Sequence, residues 1–322
     1  MWAFLVRRVA FALVLIALAS SAAFLLTRAA PGDVTDQLGP FAKPAEVAAM
    51  RARFGLDQSV LKQWLSWAWH AARFDFGESF LYSRPVRGLV RQAALNTAVL
   101  ALAAFVVATA VGLTLGVISG SLGSGALPAM IRAASAVCVS LPPLLSSLIL
   151  VFIAARTGWL PAGGMSSSGS GDLSWAGWLA DLAWHVPLPA IALALPIAAT
   201  FERLQAQAMS EVVGQPFVLA ARARGVSSGD LILRHAWPVS LRPICAVLGV
   251  AVGALLSGSF VVEYVTAWPG LGRLMYEALR ARDIYLVAGC AATGSALLAL
   301  GTLVGDVLLA VVDPRVRDEA HS

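Results

Sequence analysis

The sequence predicts an all-α integral membrane protein with six transmembrane helices, and two observations lead to this fold class. Of the 322 residues, 59% are hydrophobic and only 13% are charged, whereas about 25% of the residues in an average soluble domain are charged. Six apolar runs also approach or exceed the roughly 20 residues that an α-helix needs to cross the hydrocarbon core. These observations exclude soluble globular classes, and the runs predict the membrane spans.

Charged residues separate the six apolar runs. The fourth run is short, and we extend it to Met209 by placing Glu202 and Arg203 near the membrane boundary. In this interpretation no ionisable side chain lies deep in a span. The predicted runs are residues 9–27, 93–119, 133–155, 186–201, 243–262 and 284–305.

The first run allows a second interpretation, a cleaved signal peptide. Arg7 and Arg8 resemble the basic region of such a peptide, and residues 17–19 (ALA) resemble a cleavage site. The apolar run continues through Leu26, which favours a span that is retained. Cleavage would leave the predicted topology of the remaining chain unchanged.

The arginines of the short loops predict the orientation in the membrane. The chain has a net charge of +5 and an isoelectric point near 9.6, but its basic residues are divided among loops between spans. An excess of positive charge on the cytoplasmic side explains this better than nucleic-acid binding, and it predicts two cytoplasmic termini. The inner arginines are Arg7, Arg8, Arg132, Arg203, Arg222, Arg224, Arg234, Arg242, Arg315 and Arg317, against Arg156, Arg273, Arg280 and Arg282 outside.

The long segment after the first span, residues 28–91, is extracytoplasmic in this topology. We predict two short helices in it, over residues 44–54 and 58–74. Trp64, Trp67 and Trp69 in the second helix favour anchoring at the water–membrane boundary over a contact surface for an external partner. Farther along, residues 163–172 are rich in Gly and Ser, which predicts an outer loop with little fixed structure.

Proline and glycine positions predict how the spans are shaped and packed. Pro142 and Pro143 interrupt the third run, where we expect a kink or, alternatively, a wall of a translocation path. Small residues recur at a spacing of four, which allows close helix packing. They are Gly112, Gly116 and Gly120, then Gly249, Gly253 and Ser257.

The sequence offers no enzyme motif. It contains no GxxxxGK[ST] phosphate-binding loop, its four histidines lie outside the runs, and its three cysteines show no paired spacing. We therefore expect no catalytic activity, no metal site and no bound cofactor. If ATP drives this protein, another subunit must bind it. An ion-coupled carrier would need an ionisable group near the membrane midplane, and we identify none.

The basic segment 216–243 lies between the fourth and fifth runs. It carries Arg222, Arg224, Arg234 and Arg242 but only one acid, Asp230. We predict a helix over residues 217–224, a stop at residue 225 and a second helix over 230–237 that ends before the proline at 238. This segment is either held at anionic lipid by its arginines or forms a docking surface for a cytoplasmic partner.

The stretch LAARARGVSSGDLILRHAWPVSLRP (219–243) resembles the conserved cytoplasmic "EAA" loop of ABC importer permeases. More narrowly, it resembles the first permease subunit of the dipeptide/oligopeptide/nickel group. Further motifs of that group follow one another in the expected order along nearly the whole chain. They are 7–8 (RR), 30–33 (APGD), 54–58 (FGLDQ), 76–80 (FGESF), 84–86 (RPV), 141–143 (LPP), 268–273 (WPGLGR) and 313–317 (DPRVR).

The resemblance implies the type I importer permease bundle and a division of the chain. The implied parts are a tail and first span (1–28), an extracytoplasmic helical segment (29–92), a five-helix core (93–310) with a coupling loop (210–242), and a cytoplasmic tail (311–322). In the family the loop forms a helix that sits in a cleft of the ATPase. The implied coupling residues are Phe217, Ala220, Ala221, Arg222, Ala223, Arg224 and Gly225, and the outer-loop motif residues are Trp268, Pro269, Gly270 and Gly272.

The chain departs from the family pattern at two loop positions. Leu219 stands where the glutamate that names the motif is usual, and Trp237 stands where leucine usually precedes the mid-loop proline. The peptide group commonly lacks the glutamate as well. We expect Trp237 to pack at the membrane surface.

The resemblance also implies partners, location and solute. The partners are a homologous second permease, two ATPase subunits that bind ATP and magnesium, an external solute-binding protein and membrane lipid, with no nucleic acid. The location is the bacterial inner membrane. Di- or oligopeptides are the favoured solutes, with nickel chelates or another small solute as alternatives. An ion-coupled carrier is less favoured because we identify no ionisable group near the membrane midplane. A non-transporting scaffold is less favoured because it does not explain the paired loop helices.

Overall fold

The structure is a computed structural model that describes residues 2–32, 35, 43–167 and 174–312. These residues contain no β-strand, only an isolated bridge between Glu78 and Pro85, so the all-α fold class is confirmed. Predictions for residues 33, 168–172 and 313–322 lie outside the described residues. The helices are α1 (Trp2–Ala29), α2 (Pro44–Arg53), α3 (Val60–Ala71), α4 (Val86–Leu122), α5 (Ala126–Ser140), α6 (Pro143–Thr157), α7 (Trp175–His185), α8 (Pro187–Val213), α9 (Pro216–Ala223), α10 (Ser228–Asp230), a π-helix (Leu231–Ala236), α11 (Trp237–Ser240), α12 (Arg242–Val265), α13 (Leu271–Arg280) and α14 (Ile284–Val312).

Five helices are long and apolar enough to cross a membrane, and the bent pair α5–α6 supplies a sixth candidate span. The chain is therefore a multi-pass membrane protein. The five candidates are Val6–Ala29, Val86–Leu122, Pro187–Val213, Arg242–Val265 and Ile284–Asp306.

The third predicted span is a pair of helices. In place of one kinked helix over residues 133–155, α5 and α6 meet at an angle of 106°. Leu141 is extended, with φ −86° and ψ 111°, because a residue before proline avoids the helical region. Pro142 is also outside the helical region. Pro143 then begins α6, at the position where its missing N–H costs least.

The helices outside the spans were only partly predicted. The helices predicted at 44–54 and 58–74 are confirmed as α2 and α3, although α3 is shorter at both ends. Two further helices, α7 and α13, were not predicted. Both lie in segments that were assigned only to outer loops and are too short to stand out by hydropathy.

The second helix of the basic segment does not end before Pro238. Helical structure continues through Pro238 to Ser240, so the predicted end is wrong. Residues Leu231–Ala236 form a π-helix, in which each N–H donates to the carbonyl five residues earlier. Pro238 then falls in the first turn of α11, where its missing N–H is tolerated.

The chain divides into two compact units, the first of which comprises residues 1–98 and 269–299. An aromatic cluster forms its core. Phe54 and Phe80 pack with ring centroids 4.2 Å apart, and Tyr285 meets Phe80 edge-on at 5.1 Å. Phe24 near the end of α1 stacks on Trp67 of α3, so the cluster joins the first span to the segment that follows it.

A buried carboxylate fastens the segment before α4 to the start of α14. Asp283 is fully buried and accepts hydrogen bonds from the Ser79 hydroxyl at 2.6 Å and the Leu81 N–H at 3.0 Å. Its other oxygen accepts from the Leu286 N–H at 3.0 Å, which caps the first turn of α14. One side chain therefore stabilises two elements that are far apart in sequence.

The second unit comprises residues 99–268 and 300–322, and α8 is its central helix. A Cβ added to Gly112 would lie 2.6 Å from the Ala198 carbonyl oxygen, and one added to Gly116 would lie 2.6 Å from Gln205 Cβ. The backbones of α4 and α8 can come this close only because these positions lack side chains. The close packing predicted from the glycine spacing is confirmed here.

Two acidic residues are buried more deeply than the sequence suggested. Glu202 and Glu263 are 1% and 0% exposed. Glu202 lies 11 residues before Val213, the last residue of α8. Its predicted position near the membrane boundary stays a prediction. The helix that forms continues past the apolar run 186–201 that defined the fourth span.

The described part of the loop before α7 has defined contacts. Gly164 donates its N–H to the Thr266 carbonyl at 2.8 Å. Ser167 donates from its hydroxyl at 2.6 Å and its N–H at 2.8 Å to Asp181 of α7, and these two hydrogen bonds lower the pKa of Asp181. The expectation of little fixed structure is therefore wrong for residues 163–167.

Candidate docking surface on the loop between α8 and α12

The loop between α8 and α12 begins with an eight-residue helix of two different faces. Pro216 opens α9, and Val218 and Ala221 are fully buried. They pack on Leu231, with Val212 and Val226 beside them. One side of α9 is thus fixed to its own chain, and the other side is free to contact a partner.

The outward side of α9 is both apolar and basic. Phe217 is 44% exposed and Leu219 is 49% exposed, and Ala220 and Ala223 beside them are also exposed. Large apolar side chains at this exposure are suited to insertion into a partner's pocket. The small alanines leave room for close approach.

Arg222 and Arg224 supply the charge of this surface. Both are exposed, and within the described residues neither forms an ion pair. Arg234 differs, because its Nε lies 3.1 Å from an Asp230 carboxylate oxygen. The two unpaired guanidinium groups can therefore bind a carboxylate or a phosphate group.

Ala221 does not belong to this outward surface. The family resemblance implies Ala221 as a coupling residue together with Ala220 and Ala223, but Ala221 is fully buried. It follows Val218 by three residues, and residues three apart share a face of a helix. The other predicted coupling residues of α9 lie on its exposed side or at its end.

Gly225 ends α9 in a left-handed turn. Its φ is +85°, a value that glycine adopts without steric cost. The Val226 N–H donates to the Ala221 carbonyl at 3.3 Å and the Gly225 N–H to the Arg222 carbonyl at 3.0 Å. This pair of hydrogen bonds is the Schellman motif. The glycine stop predicted from the sequence is confirmed.

Ser227 starts the following helical segment. Its hydroxyl accepts from the Asp230 N–H at 3.2 Å and donates to an Asp230 carboxylate oxygen at 2.9 Å. The first of these two bonds makes Ser227 the N-cap of α10. The turn between α9 and α10 is therefore fixed on both sides, which holds the outward residues of α9 in a defined orientation.

Buried hydrogen bonds connect this loop to the core of the second unit. The Gln205 amide of α8 donates to the Ser240 hydroxyl of α11 at 2.7 Å. One turn earlier on α8, Glu202 accepts from the Ser119 hydroxyl of α4 at 2.6 Å. The Glu202 Oε2 and Gln205 Oε1 atoms are buried without a hydrogen-bond partner among the described residues. Two adjacent polar side chains of α8 thus join the loop to α4.

Glu202 and Gln205 were not predicted as members of a hydrogen-bond network. Their spacing of three residues on one helix was the available signal. It indicated a shared helix face, but it could not identify Ser119 or Ser240 as partners.

Trp237, expected at the membrane surface, is half-buried, and its indole nitrogen is buried without a partner in the described residues.

The outer-loop motif residues are structurally constrained. Trp268 is fully buried in the apolar core of the second unit. In the first unit, the Pro269 carbonyl accepts from the Asn96 amide at 2.8 Å, and the N–H of residue 271 donates to the Thr97 hydroxyl at 2.8 Å. Gly270 precedes α13 as its N-cap, and Gly272 is buried within α13.

The described part of the chain contains no cluster of side chains that could form a metal site. Within residues 2–32, 35, 43–167 and 174–312, no three His, Cys, Asp or Glu side chains are grouped closely enough to bind an ion.

Comparison with known families decides the identity of the fold. The family described as the binding-protein-dependent transport system inner membrane component matches residues 112–318. The N-terminal region of such membrane components matches residues 1–98. This chain belongs to the binding-protein-dependent transport family. The resemblance to ABC importer permeases is therefore confirmed, and the candidate surface lies in a transport permease component.

Curated relatives match this permease over nearly its whole length. A "Putative peptide transport system permease protein" of Brucella abortus (strain 2308) is 34% identical over 320 residues, which cover 98% of this chain and 99% of the relative. The oligopeptide transport system permease protein AppB of Bacillus subtilis (strain 168) is 28% identical over 319 residues, covering 98% and 99%. The likeness thus extends from the first span to the last.

Proposed function

We propose that this permease forms half of the path by which an ATP-driven, binding-protein-dependent importer carries di- or oligopeptides across the bacterial inner membrane. The family assignment supports the transport role, and the full-length likeness to proteins named as peptide permeases supports the solute. The chain itself has no catalytic role in this proposal. ATP and magnesium are bound by partner subunits.

The observation that carries the proposal is the outward face of α9. It combines exposed apolar residues with two arginines that have no ion-pair partner in the described residues. In this proposal Phe217 inserts into a pocket of an ATPase subunit, and Arg222 and Arg224 pair with acids at its rim. Burial of an aromatic anchor within a charged rim is the usual anatomy of a strong protein contact.

The partner set follows from this role. A homologous second permease completes the path, two ATPase subunits dock on the cytoplasmic loops, and a solute-binding protein delivers the solute from outside. We place both termini in the cytoplasm, because that orientation puts the α9 surface and the excess of loop arginines on the same side.

The buried hydrogen bonds supply a route for coupling. Movement of the loop on ATP binding shifts Ser240, which the Gln205 amide contacts at 2.7 Å. The same helix contacts α4 through Glu202. Packed helices linked in this way change position together, so closure of the ATPase dimer biases the population of outward-open spans.

Uptake of a labelled dipeptide into proteoliposomes that contain the full complex tests the proposed function. We expect uptake that requires ATP, magnesium and the binding protein. Solute-stimulated ATPase activity without peptide uptake would keep the importer mechanism but replace the solute by a nickel chelate or another small molecule. Uptake by this chain alone in an ion gradient would overturn the proposal.

A charge-reversal pair tests the docking surface separately. Arg222→Glu combined with Arg224→Glu is expected to weaken ATPase association and to abolish coupled uptake. Arg132→Glu is the matched control, because Arg132 is also an exposed arginine but lies on α5. Equal effects of the two changes on ATPase association would contradict a specific role for α9.

A further inference from the structure

The helix α3 follows the first span and has three different strips along its length. One strip is buried, and its members Gln63 and Trp67 are 5% and 6% exposed. The Gln63 amide donates to the Gln58 carbonyl at 2.7 Å, and Trp67 stacks on Phe24 of α1 at 5.4 Å between ring centroids. This strip attaches α3 to the protein.

The second strip is apolar but exposed. Leu61, Leu65 and Trp69 recur every four residues and are 64%, 52% and 64% exposed. Residues four apart lie above one another on a helix. The three side chains therefore form one continuous apolar stripe that faces away from the protein.

The third strip is polar. Lys62, Ser66 and His70 also recur every four residues and are exposed. A helix with separate protein-facing, apolar and polar strips is suited to a boundary between apolar and aqueous phases. A helix surrounded by water on its free side would have no reason to collect its exposed apolar residues on one strip.

The depth of α3 follows from its contact with α1. Phe24 lies five residues before Ala29, the last residue of the candidate span Val6–Ala29, which corresponds to about 7.5 Å at 1.5 Å per residue. The Arg28 guanidinium, one residue before the end, donates to the Leu56 carbonyl just before α3 at 3.3 Å. The helix is therefore held beside the last turns of this candidate span, where the headgroups of one leaflet are expected.

The edge of the apolar strip has the side chains that suit this level. The Arg73 guanidinium lies 3.8 Å from the centre of the Trp69 ring and donates to the Trp69 carbonyl at 3.0 Å. An indole with a cation at one face presents an apolar body to acyl chains and a charge to phosphate.

We propose that α3 is an interfacial helix that lies on the outer leaflet, with Leu61, Leu65 and Trp69 inserted between phospholipid acyl chains and Arg73 against the headgroup phosphates. Its partner is the lipid surface rather than another protein. The role is to fix the depth of the extracytoplasmic segment relative to the end of α1. This assignment is independent of the solute carried.

Site-directed spin labelling of the full importer in phospholipid nanodiscs tests the proposal. Single cysteines at 61, 65 and 69 are compared with single cysteines at 66 and 70, with Cys138, Cys245 and Cys290 replaced by alanine. We expect labels at 61, 65 and 69 to be accessible to oxygen, which concentrates in lipid. We expect labels at 66 and 70 to be accessible to a water-soluble nickel complex. Access of the nickel complex to all five positions would overturn the proposal.

Addition of the solute-binding protein separates lipid from a protein partner. We expect the labels at 61, 65 and 69 to be unaffected by it. Water-accessible labels that become immobilised when the binding protein is added would assign this strip to protein docking and would contradict the lipid assignment.

Two measurements keep the test decisive if a label disturbs folding. Lipids with brominated acyl chains should quench tryptophan emission less in Trp69→Phe than in the unchanged chain. Leu65→Lys should lower thermal stability in nanodiscs, whereas the neighbouring Ser66→Lys should not. Unchanged quenching together with equal stability of the two lysine variants would exclude lipid insertion.

Discussion

Ser119 of α4 and Glu202 of α8 are joined by a buried hydrogen bond of 2.6 Å. Both side chains are at most 1% exposed. The approach depends on the adjacent Gly116, which lets the two backbones meet. This hydrogen bond connects α4, which carries the glycines, to α8, the helix that precedes the docking loop.

Replacing Ser119 by alanine should destabilise the second unit. The change leaves the Glu202 carboxyl buried without its donor, and an unsatisfied buried polar group costs about 1–3 kcal/mol. Thermal unfolding of the purified protein in detergent measures the effect. Ser121→Ala is the control, because Ser121 is only partly buried and its hydroxyl donates only to a carbonyl of its own helix at 3.3 Å. Equal losses in both variants would contradict a special role for the Ser119–Glu202 bond.

Adding a methyl group to Gly116 should force α4 and α8 apart. A Cβ there would lie 2.6 Å from Gln205 Cβ and 2.8 Å from the Glu202 carbonyl oxygen, and overpacking of this kind costs about 1–3 kcal/mol. We expect Gly116→Ala to lower the unfolding temperature and the rate of coupled uptake. Gly88→Ala on the same helix meets nothing within 4 Å and should leave both unchanged or raise stability.

The effect of a substitution at Gly225 on ATPase docking should depend on how readily the new residue adopts a positive φ rather than on its size. The residue has φ +85° and open space around it, so alanine is penalised by about 1–2 kcal/mol for its left-handed backbone alone, and asparagine by less. We expect docking of the ATPase and stimulation of its activity to fall in the order Gly, Asn, Ala. Gly225→Asp adds a negative charge directly after Arg224, and for this reason, beyond the backbone, it should uncouple ATPase activity from uptake while the protein remains inserted in the membrane.

The control for Gly225 lies four residues away. Gly229 also has open space where a Cβ would lie, but it does not have a positive φ. Gly229→Ala should therefore retain full ATPase stimulation. Full transport by Gly225→Asp would count strongly against α9 as the coupling element.

Tyr82 should ionise at unusually high pH. Burial and the hydrogen bond that its hydroxyl donates to Glu277 at 2.6 Å raise the pKa of Tyr82 from 10.0 to about 12. The folded state thus keeps a proton that the unfolded state loses near pH 10. The stability contributed by this group is complete below that pH and is lost as the pH rises towards 12.

Ultraviolet titration of tyrosinate tests this pKa. The difference between the unchanged chain and Tyr82→Phe should show one tyrosine that titrates near pH 12. Glu277→Gln should move that titration to lower pH, since it removes the negative charge beside the phenol. A Tyr82 titration near its ordinary value of 10.0 in the folded protein would contradict the hydrogen bond to Glu277.

Several features were predictable because they depend on short stretches of sequence. Apolar runs identified five long helices and a sixth candidate, since hydrocarbon thickness sets the length of a span. Gly225 was predicted as a helix stop because few residues other than glycine adopt positive φ readily. The glycines at 112, 116 and 120 predicted close packing, but their spacing did not reveal α8 as the partner helix.

Other features were not predictable because they depend on what each residue meets in space. Ala221 and Ala220 are adjacent and chemically identical, yet only Ala221 is buried. Trp67 and Trp69 were assigned the same interfacial role, but of these two only Trp69 is exposed. The two prolines at 142 and 143 predicted a distortion, and the separation into two helices at 106° was not foreseen.

By itself the sequence determined the membrane class, the positions of the spans, the helix and stop at the basic loop, and the family, because hydropathy, backbone preference and motif order act locally along the chain. Only the tertiary structure decided which face of α9 is free, that Glu202 is buried against Ser119, and that α3 divides its surface into three strips. Those outcomes depend on contacts between residues distant in sequence, and burial is a property of such contacts rather than of the residue type.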